Sequence, residues 1–392
     1  MKLSSKKRIA HLQQNIEHIS PERAFQLQQQ GAILIDVRSD SEIAGGSPSN
    51  CLRLGRDFLE FNIEKHVTDY DQPVMTICTS GLRSLFAAES LLNLGYTHVM
   101  TVYGGVTKWK DEGFPIEIPP MLDSNARQRY SRHLNIPEVG EKGQIKLLNS
   151  RILLIGVGGL GSPAAFYLAA AGVGKIGIVD HDLVDMSNLQ RQILHTNDAV
   201  GTSKVESAGD TLKRLNPDIN VVTHETRLDS SNAENLFSDY DLIIDGTDNF
   251  PTRYLINDAC VKLGLPNVHG SVYRFEGQVT VFWPAYKKQA GPCYRCLYPE
   301  PPPPDMAPSC ADAGVLGAVP GIIGLLEAIE ALKILLDIGE PLVGRLLCYD
   351  ALKVRFSELK LSADKNCHYC SNPEHFPGYI DYEHFCTQPR ST

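Results

Sequence analysis

Apolar and polar positions fall along this chain in blocks that read as short strands followed by helices. Residues 32–37 form an apolar run closing on Asp36-Val-Arg38. Residues 74–78 form a second, which passes through Cys78-Thr-Ser-Gly-Leu-Arg83 into a helical stretch over 84–94. Further on, Arg151-Ile-Leu-Leu-Ile155 leads into Gly156-Val-Gly-Gly-Leu-Gly161 and an alanine-rich helical segment. A strand over 175–179 ends on Asp180, and one over 240–244 ends at Asp245-Gly-Thr-Asp-Asn249, ahead of a helix. Strands alternating with helices predict α/β architecture. The most apolar stretch, 315–338, carries Glu327, Glu330 and Lys333 at helical spacing, so it predicts a buried helix after a glycine turn and not a membrane span. Residues 284–314 are too rich in proline for helix, and the four prolines at 301–304 predict a stiff, extended span.

Length and charge narrow the picture. A chain of 392 residues is long for one core. The proline pair at 119–120 and the polar residues to 126 read as a linker (119–126) between domains over 1–118 and 127–392. A net charge of −9 and the lack of a Lys/Arg-rich stripe argue against a nucleic-acid partner. The basic start, Met1 to Arg8, has no apolar run behind it and reads as neither signal peptide nor membrane anchor, so a cytoplasmic protein is expected.

In a reducing compartment the ten cysteines are metal ligands, nucleophiles or buried apolar residues before they are disulfides. Four of them form two knuckles, Cys293-Tyr-Arg-Cys296 and Cys367-His-Tyr-Cys370. Each spacing lets two sulfurs reach one ion, and four thiolates close the shell of a structural Zn2+. A redox-active pair is the other reading of either knuckle. Cys51, Cys260, Cys348 and Cys386 stand alone and read as packing or surface residues.

The glycine-rich turn places free amide groups at a helix start, where they can cradle phosphate, and Asp180 follows at the distance suited to ribose hydroxyls. On this much, NAD or FAD binding is an equal reading. The segment after it adds Asp182, Asn188, Arg191, Gln192 and Lys204. Two fixed cations over a phosphate chain suit nucleotidyl transfer, where charge grows on a leaving pyrophosphate, better than hydride transfer.

With Asn188, Arg191, Lys204 and Asp245-Gly-Thr-Asp-Asn249, this region resembles the adenylation domain of the ubiquitin-activating superfamily. Within it, the resemblance is strongest to the bacterial enzymes that activate sulfur carriers for molybdopterin or thiamine synthesis. It implies a Rossmann-like α/β domain with a mixed sheet, ATP and Mg2+. The implied nucleotide-binding residues are Gly156, Gly158, Gly159, Gly161, Asp180, Asp182, Asn188, Arg191, Gln192, Lys204, Asp248 and Asn249, with Asp248 as the magnesium-associated carboxylate. Arg132, in Arg127-Gln-Arg-Tyr-Ser-Arg-His133, matches an arginine that reaches the nucleotide of a neighbouring subunit, which implies a homodimer; a solvated basic helix face is the alternative. Cys310 matches a cysteine that some relatives use as nucleophile or acyl acceptor and others lack.

The preceding domain resembles a rhodanese, a small α/β sulfurtransferase that carries sulfur as a persulfide on a loop cysteine. The resemblance rests on Asp36, Arg38, the loop from Cys78 to Arg83, Gly104-Gly-Val-Thr-Lys-Trp109 and Gly113-Phe-Pro115. Four residues separate Cys78 from Arg83, one fewer than in cysteine phosphatases. Ser41 to Asn50 departs from the His-Ile-Pro-Gly sequence of many rhodaneses, leaving the local loop conformation open.

Together the resemblances imply that the C-terminal carboxylate of a small ubiquitin-like carrier ending in Gly-Gly is adenylated with ATP, and that sulfur from Cys78 then yields a thiocarboxylate. Arg83, Arg191, Lys204, Asp248 and Cys310 complete the catalytic set, and a cysteine desulfurase is the expected persulfide donor. In related eukaryotic fusions the rhodanese follows the adenylation domain; here it precedes it. An NAD-dependent oxidoreductase, a non-catalytic scaffold for carrier and donor, and a conjugation activator holding its carrier as a thioester on Cys310 are the other readings.

Overall fold

The computed structural model describes residues 5–118, 121–287, 290–302, 313–372 and 376–387. Two units divide the chain, Met1–Met121 and Leu122–Thr392. In the first, β1 (Glu17–Ile19), β2 (Ile33–Asp36), β4 (Leu52–Arg53), β5 (Val74–Ile77) and β6 (Val99–Val102) form a parallel sheet in the order β1-β6-β5-β2-β4. A two-stranded ladder pairs β3 (Ser47–Pro48) with β7 (Ile116–Glu117).

Strands β5 and β6 are buried on both faces because helices cover both sides of the sheet. Ile35 and Val74 pack with Leu12, Leu85 and Leu91 on one face, whereas Leu34 and Met75 pack with Ala24, Val106 and Trp109 on the other, as the two-residue period of a strand requires. The helix after β5 runs over Leu82–Asn93, two residues earlier than the apolar pattern predicts. Gly81, at φ 94°, turns the chain and lets the helix begin at once, which puts Arg83 in its first turn.

Among its described residues the second unit holds eight strands: β8 (Arg151–Ile155), β9 (Lys175–Asp180), β10 (Asn220–Glu225), β11 (Leu242–Asp245), β12 (Asn267–Tyr273), β13 (Glu276–Phe282), β14 (Arg345–Asp350) and β15 (Arg355–Lys360). Their order is β10-β9-β8-β11-β12-β13-β14-β15, parallel from β10 to β12 and antiparallel beyond, a mixed sheet. Leu153 and Ile155 of β8 face a cluster with Phe237, Tyr254 and Ile256; Ile152 and Leu154 face one with Leu168, Val205 and Ile323.

The long apolar helix spans Ala318–Leu336 and buries Glu327 and Glu330. No helix among the described residues is long and apolar enough to cross a membrane. Residues 284–314, expected to hold no helix, make one helical turn at Tyr294–Leu297, where the Cys293 knuckle folds. Because β9 and β10 extend the sheet on one side of β8 while β11 extends it on the other, a crevice opens beyond the carboxyl ends of β8 and β11, where open α/β sheets hold ligands.

Candidate functional site

The crevice is a cleft of about 390 Å³, lined by Gly156, Gly158, Gly159, Asp180, Asp182, Arg191, Gln192, Lys204, Asp248 and Asn249. Its floor is the glycine turn. Gly156 sits at φ 87°, and a Cβ on Gly161 would strike the Gly156 carbonyl oxygen, so Gly161 lets the turn close without lining the cleft itself. Asp180 holds the turn to the end of β9: its carboxylate accepts from Val157 N at 3.1 Å and from Asp182 N at 3.0 Å.

Charge is arranged around this floor. Lys204 Nζ, almost buried, donates to Asp182 Oδ2 at 2.7 Å. Partial burial pushes the Asp182 carboxyl up, but the Lys204 hydrogen bond and charge outweigh it and hold the group below its ordinary range. Arg191 Nη1 donates to the Ser187 carbonyl at 3.0 Å. Asp248 stands exposed at the rim, and Asn249 Oδ1 caps the helix Phe250–Leu263 by accepting from Thr252 N at 3.0 Å. Asn188 lies outside the main cleft, in an adjoining hollow shared with Asp182 and Lys204, where its Oδ1 accepts from Asp185 N at 3.1 Å. Arg132 is exposed on the short helix Ser131–Leu134 and does not line the cleft. Cys310 lies outside the described residues.

Gln192 Oε1 and Arg253 Nε are buried on the cleft wall with no partner among the described residues. An unmatched acceptor, an unmatched cationic donor and side-chain-free glycines fit a nucleotide, whose base and sugar offer donors and whose phosphates accept.

Arg253 and Thr247 are lining residues that motif reading passed over. Arg253 Nη2 donates to the Thr247 carbonyl at 2.8 Å, fixing the loop that carries Asp248. The available signal was an arginine in the first turn of a helix, where the dipole disfavours a cation. Beneath it, buried Asp245 accepts from Thr247 N at 3.1 Å, Thr247 Oγ1 at 2.6 Å and His269 Nδ1 at 2.8 Å, an arrangement that shapes the turn.

In the first unit, Cys78 directly follows β5 and is buried, its Sγ accepting from Gly81 N at 3.2 Å at the start of the following helix. Gly105 presses on this loop so closely that a Cβ would collide with the Cys78 carbonyl oxygen, while Val106 N donates to that same oxygen at 2.8 Å. Arg83 is clamped by Glu42, whose carboxyl the guanidinium holds well below the usual range. The buried Asp36–Arg38 pair, 2.7 Å apart, organises the departing loop: Arg38 Nη2 donates to the Gly46 carbonyl at 2.8 Å, and Ser47 Oγ donates to Asp36 Oδ2 at 2.7 Å.

The four knuckle cysteines converge, with Sγ atoms of Cys293 and Cys296 3.8 Å apart, Cys293 and Cys367 3.6 Å, and Cys296 and Cys370 3.4 Å. A tetrahedron of Zn–S bonds of about 2.3 Å has edges of about 3.8 Å, so the set fits zinc. Between its ligands, Arg295 makes a bidentate pair with buried Asp258, both contacts 2.8 Å, under the rings of Tyr254, Tyr369 and Phe385. Tyr382 from the C-terminal helix donates to the same carboxylate at 2.8 Å.

A profile of the ThiF family matches residues 130–371, and one of the rhodanese-like domain matches residues 20–112. This chain belongs to the ThiF family. The ThiF chain is 54% identical over 275 residues to a probable adenylyltransferase/sulfurtransferase MoeZ of Mycobacterium tuberculosis, covering 69% of each chain. It is 50% identical over 249 residues to the SAMP-activating enzyme E1 of Haloferax volcanii, covering 64% of this chain and 90% of that one. Among solved structures, E. coli MccB with ATP superposes with a TM-score of 0.55 at 20% identity, over 73% of this chain and 85% of that one, a likeness of fold alone.

Proposed function

We propose that this ThiF-family chain is an adenylyltransferase and sulfurtransferase that activates a small sulfur-carrier protein. The observation that carries this reading is that Arg191, Lys204 and Asp248 line the same cleft as the glycine turn. Such a cleft needs little acid–base machinery, because a carboxylate is already a nucleophile at neutral pH. The carrier's C-terminal carboxylate, ending in Gly-Gly, attacks the α-phosphorus of ATP; an acyl-adenylate forms and pyrophosphate leaves. Arg191 and Lys204 balance the phosphate charge, Asp180 and Gln192 orient the nucleoside, and Asp248 is the carboxylate available to hold Mg2+.

A persulfide on Cys78, supplied by a donor such as a cysteine desulfurase, then attacks the activated carbonyl and AMP leaves. A second thiol cleaves the acyl disulfide to give the thiocarboxylate. Joining both functions on one chain, over residues 1–118 and 127–392 with a linker at 119–126, raises the effective concentration of sulfur at the adenylate. The four-cysteine site holds zinc in a structural role, since it leaves no coordination position open. Arg132 serves a nucleotide across a homodimer, consistent with its exposure outside its own cleft, and the enzyme works in the cytoplasm without nucleic acid or membrane.

ATP–pyrophosphate exchange, run with a panel of Gly-Gly-ending carriers and with Asp248→Ala as control, tests the reading. Exchange that depends on one carrier and is lost in the variant supports it. ATP binding without exchange for any carrier favours a scaffold.

A further inference from the structure

The loop that carries Cys78 keeps its own cation engaged. Arg83 Nη1 donates to Glu42 Oε2 at 2.7 Å and Nη2 to Glu42 Oε1 at 2.5 Å, while Thr79 Oγ1 donates to Glu42 Oε1 at 2.7 Å. Arg83 Nη2 also donates to Thr79 Oγ1 at 2.9 Å, so three side chains close a ring over the loop. Glu42 reaches there from the short helix Asp40–Ile43 after β2, held by Ser39, whose N and Oγ donate to Oε2 at 3.3 and 3.0 Å. The ion pair is partly exposed, with side-chain exposures of 46% for Arg83 and 33% for Glu42, and a pair in such a setting adds little to stability. Its consequence is electrostatic. Thr79 follows Cys78 directly and Arg83 stands in the first turn of the helix whose preceding Gly81 N donates to Cys78 Sγ, so the Glu42 carboxylate lies against the Cys78 loop and cancels positive charge where a sulfur donor must arrive.

We propose that Glu42 is a specificity-determining residue of the sulfur site: by occupying Arg83 it selects against small, multiply charged donors such as thiosulfate and in favour of persulfides. The inference rests on the sulfurtransferase reading given above. With thiosulfate, the Cys78 thiolate attacks the outer sulfur, a new S–S bond forms, and sulfite leaves with the electron pair of the broken S–S bond. With a persulfide, the same attack expels a thiolate that takes up the donor's proton. The first route brings a dianion against the Glu42 carboxylate; the second brings at most one charge on the reacting sulfurs, the other charges of a peptide persulfide lying several bonds away.

The test uses the full chain and Glu42→Gln, which keeps the shape of the side chain and removes its charge. Sulfur transfer to cyanide is measured with thiosulfate and with glutathione persulfide. The expected result is a rise in kcat/KM for thiosulfate of about tenfold at low salt, shrinking towards the wild-type value at about 0.5 M salt, with the persulfide reaction changed by less than about twofold. No rise with thiosulfate, or an equal fall for both donors, overturns the proposal and leaves Glu42 as a loop-shaping residue. In parallel, intact mass measures one added sulfur on wild type and its loss in Cys78→Ala. Absence of that sulfur on wild type overturns the sulfurtransferase reading itself, and the proposal with it.

Discussion

Lys204 Nζ rests 2.7 Å from Asp182 Oδ2, so the nearly buried cation of the nucleotide cleft is already neutralised by a half-exposed carboxylate. A phosphate chain entering the cleft therefore competes with Asp182 for Lys204. Lys204→Ala is expected to lower kcat for ATP–pyrophosphate exchange by about 10²–10³, the usual cost of removing a group aimed at developing charge, with a smaller change in KM for ATP. Asp182→Asn removes only the competitor and should cost much less. Initial rates over a range of ATP concentrations check both; an equal loss in kcat for the two variants would give Asp182 a task of its own.

The two chemistries should separate by mutation. Cys78→Ala is expected to abolish thiocarboxylate formation and leave carrier adenylation within about twofold of wild type, because the thiol takes no part in attack on ATP. Gly105→Ala should act in the same direction through the backbone, since its Cβ would displace the Cys78 carbonyl. A loss of about tenfold in sulfur transfer is expected for a displacement of this kind. Pyrophosphate exchange and thiocarboxylate yield, measured on the same preparations, decide the matter.

Much of this was legible because strong local patterns agree with the fold. β8 reads as a buried strand from four consecutive apolar residues, and its turn reads as phosphate-binding from glycines that the structure requires for close approach. The mixed sheet and the gathering of four cysteines followed from family resemblance and from paired Cys-x-x-Cys spacing. What stayed hidden depends on contacts distant in sequence. Nothing near Glu42 announces that it meets Arg83, 41 positions on. Arg253 gives only the weak signal of a cation in the first turn of a helix, and its role shows only in its contact with the Thr247 carbonyl. Asn188 and Asn249 were legible as polar residues of nucleotide motifs, yet each spends a side-chain oxygen on a backbone amide, a local competition that composition does not reveal.

Metal content checks the cysteine cluster. One zinc per chain is expected, and Cys367→Ser should release it and lower stability by several kcal/mol, because an ion held there would tie the C-terminal knuckle to Cys293 and Cys296. Thermal unfolding with and without chelator should show the same loss in wild type and none in the variant. Zinc-free protein with unchanged unfolding would remove the structural role.

Glu327 supplies a prediction about pH. Both its carboxyl oxygens are buried in the helix Ala318–Leu336 and make no well-formed hydrogen bond among the described residues; the backbone of Gly270 in β12 lies against the carboxyl group, so closely that a Cβ there would press on it. Burial, and then the negative charge of Asp245, push its pKa well above its ordinary value of 4.5, against the opposing charge of Arg253. The folded chain therefore keeps a proton here that the unfolded chain gives up. This group's contribution is fully present below pH 4.5 and is lost as pH rises through the folded pKa, at about 1.4 kcal/mol per unit. His269 runs the other way: burial lowers its pKa, so its contribution is lost as pH falls below 6.5. Above that value only the Glu327 slope of the two remains. Glu327→Gln cannot ionise, and its unfolding midpoint should gain on wild type as pH is raised above about 4.5, the His269 contribution being common to both. Parallel midpoints for the two proteins across that range would mean that Glu327 carries a charge inside the fold.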